Sequence, residues 1–448
     1  MAVVLAALGG LIWFSTWVTG YLHSEAFRQL AAEATGDALR ARVSSGPFHW
    51  TRDSVFVDDF DAAGAGNSPV ESLGANELRA DVNWRSLLGG VWRIERIEVL
   101  QLNASFLPYA AGKTPSPSSA PPPAPSGIAA FLPQKFEIGE VSVGNANMKF
   151  SFLPGQEFLS AANTRLLARS DSGGWAISGE GGTLTAPLAG KMGITDYHAR
   201  LQGNTLFITE SHFRVGNSGK LSLAGQVGSD TRLNLTWSQV DVAQLLPSEW
   251  TSRLSGGFSG SCTLQQADEG RWKVAGQFQL SEGQLQNLPL LDRLAVFSSS
   301  PQFAHLPIDE ISGKFEWSPA SLVVTGFLLE SKGFLRVESD RVISDGNLSG
   351  SFRVGVGSSA LRWLPGTSDR VFTAERDGYL WTEVKLAGTS ADPHEDLSAR
   401  LIAATKDAAI KKGSDLLNAA DAIPVPAKQV FNSLLNAAIT TPGTSPGN

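Results

Sequence analysis

Val274-Ala275-Gly276-Gln277-Phe278, Ile311-Ser312-Gly313-Lys314-Phe315 and Leu348-Ser349-Gly350-Ser351-Phe352 state one short phrase three times: apolar residue, spacer, glycine, spacer, phenylalanine. Leu386-Ala387-Gly388-Thr389 repeats its first half, and the four glycines lie 37, 37 and 38 residues apart. A period of two describes a strand with one buried face, and the glycine marks a bend or the close approach of another chain. Repetition of such strands predicts a large antiparallel sheet. The same glycine pattern recurs upstream at Gly179, Gly203, Gly225 and Gly256, with intervals between 20 and 38 residues over the whole series. Unequal units argue against a propeller or a strict solenoid, whose repeat length is fixed.

Composition agrees with a strand-rich chain. Charged residues are 18% of 448, while glycine reaches 46, phenylalanine 23 and tryptophan 12. The net charge of −7 is spread without a basic block, so nucleic acid is not an expected partner, because phosphate neutralisation needs clustered Lys and Arg. One cysteine, Cys262, excludes an intramolecular disulfide framework and reads as a small buried residue.

Met1 to Leu22 carries no charged side chain, close to the length that crosses a bilayer, with Tyr21 where an interfacial anchor sits. The small-residue site Ala32-Glu33-Ala34 lies too far beyond the apolar run for signal cleavage, so residues 1–22 read as an uncleaved transmembrane anchor. Arg28, Arg40 and Arg42 follow the run and none precedes it, which by charge alone keeps the C-terminal side in the cytoplasm. Ser24 N-caps a helix to Ala41, and within 23–112 short strands follow at 48–50, 54–58, 78–84 and 93–99. Residues 113–127, rich in Pro and Ser, read as a linker.

Strands return at 136–138, 141–143 and 148–152 and continue to 395, interrupted by short helices at 242–246 and 288–297. After Asp396 the period becomes helical through Leu397, Leu401 and Ala404, and again through Phe431, Leu434 and Leu435. Amphipathic helices over 396–439 lie on a membrane surface, dock on a partner such as an envelope protein, or cap the sheet; the pattern is common to all three. Residues 440–448 read as a disordered tail.

The order of these features carries a resemblance. The anchor, the aspartates Asp58, Asp59 and Asp61, Leu78-Arg79-Ala80-Asp81-Val82 and Ile94-Glu95-Arg96-Ile97-Glu98-Val99 are similar to the amino-terminal region of AsmA-like envelope proteins (the AsmA/TamB type). The stretch from Leu254 through Gly283-Gln284-Leu285, Ile308 to Gly313, Leu364-Pro365-Gly366 and Val384 to Pro393 resembles their carboxy-terminal region more specifically. The resemblance implies a β-groove tied to the inner membrane, with the bulk of the chain in the periplasm and a role in outer-membrane and envelope lipid homeostasis.

No catalytic constellation stands beside it. The six histidines are scattered, no zinc-hydrolase, nucleophile-elbow or phosphate-loop motif occurs, and neither acidic group, Asp58 to Asp61 or Asp392 to Asp396, has calcium-loop spacing. The expectation is a non-enzyme without cofactor or metal. A sheet with one apolar face must fold into a sandwich or curl around something apolar. The resemblance selects a curled, taco-like groove that accepts a phospholipid or other acyl lipid. Candidate groove residues, taken from the clearest alternation, are Phe278, Leu280, Phe315, Trp317, Leu322, Val324, Phe352 and Val354. Two other readings stay open: an envelope scaffold with a closed sandwich, and a carbohydrate-binding sandwich that needs Trp272, Trp317, Trp363 or Trp381 on a polar face.

Overall fold

The computed structural model of the chain describes residues 20–51, 53–64, 68, 70–83, 86, 91–107, 135–153, 156–186, 190–203, 205–228, 230–246, 251–266, 271–287, 305–358, 370–389, 393–397, 399–401 and 403–404. Residues 1–19 of the expected anchor, the linker 113–127, the 288–297 helix and the C-terminal chain beyond 404 lie outside them. The described chain is mainly β and divides into two compact units. One comprises the described residues up to Phe213 with Val227 and Gly228, the other 214–226 and the described residues from Asp230 onward.

The first unit holds α1 (Glu25–Leu39), β1 (Ala41–Ser45), β2 (Phe48–Trp50), β3 (Ser54–Gly64), β4 (Val70–Asn83), β5 (Val91–Phe106) and β6 (Lys135–Leu153). It continues with β7 (Gln156–Asp171), β8 (Gly174–Glu180), β9 (Thr183–Ala186), β10 (Gly190–Gln202) and most of β11 (Thr205–Val215). Ser24 caps α1 as its spacing predicts, its hydroxyl accepting from the Phe27 amide at 3.3 Å. Phe27 then packs among Phe48, Trp50 and Trp92, while the Trp50 indole donates to the Leu22 carbonyl at 3.0 Å. β1 and β2 both pair with β3, and the ladder runs on through β4, β5, β6 and β7. β8 and β9 sit between β7 and β10, the break between them made by Gly181 and Gly182 at φ 72° and 80°.

One pairing corrects the expected antiparallel sheet: β5 and β6 run parallel. Parallel neighbours need a long crossover, and residues 107–134 supply it, with the Pro-rich stretch inside. The sheet of this unit is therefore mixed.

These long strands carry regular steps. In β5 the apolar positions are Trp92 and Ile94, then Ile97 and Val99, then Leu102, Ala104 and Phe106. Their partners in β6 are Phe136 and Ile138, Val141 and Val143, then Ala146, Met148 and Phe150. Each step of three inserts a residue that would turn the next side chains to the opposite face in a straight strand; a bend keeps them on one side. At the second step Leu100 is 57% exposed, and in neighbouring β4 Glu77 takes a φ of 53°. Val99 and Val143 before the step share one core cluster with Ala75 and Ala146 beyond it. The apolar side chains therefore stay on one face across the step.

The second unit holds β12 (Gly219–Val227), β13 (Arg232–Asp241), a 3-10 turn (Val242–Gln244), β14 (Leu254–Gln266), β15 (Trp272–Gln286), β16 (His305–Ser318) and β17 (Ser321–Ser331). It ends with β18 (Leu335–Ser344), β19 (Leu348–Gly357), β20 (Ala374–Arg376), β21 (Tyr379–Gly388) and β22 (Pro393–Glu395). From β12 to β19 each strand pairs antiparallel with the next; β19 then pairs with β21, whose other edge holds β20 and β22. The same steps recur: Leu280 pairs Ile311 and Gly283 pairs Ile308, with Glu282 at φ 52° between. Glu77, Asn163, Gln239 and Glu282, all with positive φ inside strands, are costly backbone positions for residues with a Cβ, and each stands at such a step.

Candidate functional site

Register assembles the repeated phrase into a surface. Gly276 faces Phe315 and Phe278 faces Gly313, and the Phe278 ring lies over Gly313. The row containing Gly276 reads Leu235, Cys262, Gly276, Phe315, Val324, Val342, Gly350 and Leu386 across β13 to β21. Beside it run Trp237, Gly260, Phe278 and Gly313. On its other side lie Leu264, Val274, Trp317 and Leu322. Ring centroids of Trp237 and Phe258 are 5.6 Å apart, of Phe258 and Phe278 6.3 Å, and of Phe278 and Phe315 6.4 Å. Four aromatic rings on four adjacent strands thus form a continuous apolar strip.

The eight candidates divide into two groups on this face. Phe278, Phe315, Trp317, Leu322 and Val324 are half-buried. Leu280, Phe352 and Val354 are 3%, 5% and 5% exposed and belong to the closed core of the unit. Val242 of the 3-10 turn, Leu246 just after it, Val371, Phe372, and Leu397, Leu401 and Ala404 from the start of the C-terminal segment pack into that core. The described part of the expected C-terminal helices therefore caps one end of the apolar face, and the strip around Phe278 and Phe315 lies outside the cap. The opposite face is polar: Lys273, Gln277 and Gln279 alternate with Val274, Gly276 and Phe278, and Thr263 donates to Asn234 at 2.9 Å.

Sequence reading missed half of this strip. Leu233, Leu235 and Trp237 alternate as clearly as the chosen strands, and Phe258, Cys262 and Leu264 on β14 lie opposite them or their neighbours. Cys262 is half-buried on the strip, where burial pushes its thiol pKa up and keeps it protonated. Trp272 and Trp317 stand on the apolar face, Trp363 lies outside the described residues, and Trp381 is 6% exposed over Gly355 with its indole donating to Arg376 at 2.9 Å.

Electrostatics elsewhere are structural. Glu338 receives Arg336 at 2.8 Å, Arg376 at 2.9 Å and Arg353 at 3.4 Å. Burial works against its carboxylate, and the hydrogen bonds from Arg376 and Arg336 outweigh burial, so its pKa lies below the ordinary glutamate value. In the first unit Asp196 lies 2.9 Å from His212 and Glu210 lies 3.1 Å from it; the Asp196 hydrogen bond raises the His212 pKa. Asp58, Asp59 and Asp61 are exposed, and among the described residues no group of His, Cys, Asp or Glu is placed to hold a metal ion.

The first unit also has a hollow of about 900 Å³. It is lined by residues 42–44, 61–63, 72–74, 76, 103–105, 147–149 and 160–162, so among the described residues β1, β3, β4, β5, β6 and β7 alone bound it. Strand alternation sets Arg42, Asp61, Asn103 and Lys149 on the face opposite Val43, Ala62, Ala104 and Met148. Asn147 ties this wall together, donating to Asn103 and accepting from the Asn163 amide, both at 3.0 Å. Nothing in the sequence announces this hollow, because bends in separate strands create it.

Fold and strip define the class: a mainly β protein whose bent ladders are apolar on one side and polar on the other. No known family model matches the chain, nor does any curated protein or solved structure. Among the described residues no helix is long and apolar enough to cross a membrane.

Proposed function

We propose that the chain is an AsmA-like, inner-membrane-anchored periplasmic protein whose curled sheet shields or transfers acyl lipid, most simply phospholipid, for outer-membrane and envelope lipid homeostasis. The observation that carries this reading is the half-buried strip of Trp237, Phe278, Phe315, Trp317 and Leu322, backed by a polar face and left outside the closed core, with Phe258 and Val324 joining the strip to that core. In this reading the strip lines the concave side of the sheet, the form that receives an acyl chain while its headgroup stays in water. A chain laying roughly ten methylenes against it at half burial gains about 4 kcal/mol, enough to hold a lipid and little enough to release it. The role requires no catalytic group; lipid moves along the strip, and selectivity among acyl chains is low. The resemblance of Leu254 to Pro393 to AsmA-like proteins supports the same reading.

The test is lipid extraction and mass spectrometry of the purified full chain beside the Trp317→Asp and Val324→Asp variants. Wild-type protein carries phospholipid and the variants, with unchanged circular dichroism, carry several-fold less; equal lipid in all three removes the strip from the proposal. The closed core around Phe352 and Val354 favours a second reading, a scaffold with a sealed sandwich, in which all three proteins are free of lipid.

A further inference from the structure

The cover over the closed core of the second unit is fastened differently from the core itself. We infer that the segment from β22 to Ala404 is a displaceable lid, whose release extends the apolar strip from Phe315 toward Phe352 and Val354. As a gate for acyl chains the lid rests on the lipid reading above.

Strip and core are one surface, covered at one end. Val324 pairs with Phe315 on the strip and with Val342 in the core, and the rings of Phe327 and Phe352 lie 6.1 Å apart within the covered part. Phe315 and Phe352 end the same repeated phrase, so the strands themselves draw no boundary between them. Leu397, Leu401 and Ala404 help to draw it, packing into the core at helical spacing while Ala399 and Ala403 stay exposed.

The outer edge of β21 shows how this segment is held. β20 pairs with Tyr379 to Trp381 and β22 with Leu386 to Gly388, so among the described residues Thr382 to Lys385 have no strand on that side. Two side chains of the segment fill the gap. The Lys385 amide donates to the Asp396 carboxylate at 3.0 Å. Arg400 donates to the Glu383 carbonyl at 2.6 Å, to the Val371 carbonyl at 3.5 Å and to the Thr382 hydroxyl, with Asp396 3.7 Å away. Arg400 thus clips the segment to the edge of β21 and to the Val371 cover at once.

The clip is partly in solvent, and Leu397 and Leu401 are only half-buried, whereas Phe352, Val384 and Leu386 beneath are buried. A segment with few buried contacts and solvent-facing hydrogen bonds opens at a lower free energy than the strands it covers. Its release detaches only the three-residue β22 and leaves the ladder from β12 to β21 paired.

The test reads opening by thiol labelling of the full chain. Cys262→Ser removes the native thiol, and Val354→Cys, paired with Thr382, supplies a buried reporter close to the original side chain in size. A maleimide reaches it only when the lid is away. Arg400→Ala speeds labelling roughly tenfold or more, the loss of one charge-assisted hydrogen bond. Hydrogen exchange in the same protein quickens over 382–404, while β15 and β16 keep their rates. Labelling that Arg400→Ala leaves unchanged overturns the inference, and so does exchange that quickens equally in β15 and β16, because opening is then global. Phospholipid extracted from the same proteins separates lid from cargo. More of it in Arg400→Ala than in its parent supports the gate; equal, measurable amounts overturn the extension of the strip. Faster labelling with no phospholipid in either protein keeps the lid and removes the lipid reading.

Discussion

Replacing Gly276 by alanine tests the packing that the repeated phrase encodes. A Cβ built at Gly276 would lie 2.3 Å from the Ser261 carbonyl oxygen, 2.7 Å from the Cys262 Cβ and 2.9 Å from the Cys262 Cα. Two of those atoms are backbone of the paired strand β14, so relief requires the strands to part. Gly313, at the corresponding position of the next phrase, differs: its Cβ would meet the Phe278 ring at 3.0 Å and the Val324 side chain at 3.6 Å, and a ring tip can tilt away. Forcing an extra carbon into a packed site costs about 1–3 kcal/mol where the surroundings resist, which for a unit of this size lowers Tm by roughly 2–10 °C. Gly313→Ala costs well under that, because neither residue has a positive φ and the only obstacle is side chain. Thermal unfolding followed by circular dichroism on the two single variants reads the difference. A Gly276→Ala protein melting within about 1 °C of wild type, or a Gly313→Ala protein melting lower than Gly276→Ala, refutes the reasoning.

Two further predictions concern the core and the charges of the second unit. Phe352→Ala removes a side chain from a closed core and costs about 3–5 kcal/mol, whereas Phe315→Ala on the half-open strip costs about half as much or less; chemical denaturation separates them. Glu338 has a depressed pKa, so its contribution is present above the ordinary glutamate range and is lost as pH falls through the folded value. Wild-type protein therefore loses stability below about pH 4.5, and Glu338→Gln is less stable at pH 7 with a shallower acid slope; parallel slopes for the two proteins contradict the assignment.

Period-two alternation and glycine spacing were enough to read a mainly β chain with strands in the right places, including the Ser24-capped helix and the 3-10 turn at Val242. Alternation failed at the steps. Residues 136–138, 141–143 and 148–152 read as separate strands, yet they belong to one 19-residue strand, because each three-residue interval resets the parity that the eye follows. The parallel pairing of β5 with β6 was invisible for a related reason: strand direction is set by the crossover, and no local pattern records it. At the candidate site, alternation chose residues that share the apolar face and could not tell Phe315 from Phe352. Both end the same phrase. What separates them is the cover supplied by Val371, Phe372 and the 397–404 segment, which comes from elsewhere in the chain. The hollow of the first unit lay beyond reach altogether, since its wall joins six strands whose residues are unremarkable one by one.

Photocrosslinking gives the most direct test of the central claim. A benzophenone side chain placed at Phe315, and as a control at Lys314 on the opposite face, is irradiated in cells and the adducts are identified by mass spectrometry. The account predicts phospholipid adducts at position 315 and few or none at 314. Protein adducts alone at 315, or equal lipid labelling at both positions, would contradict it.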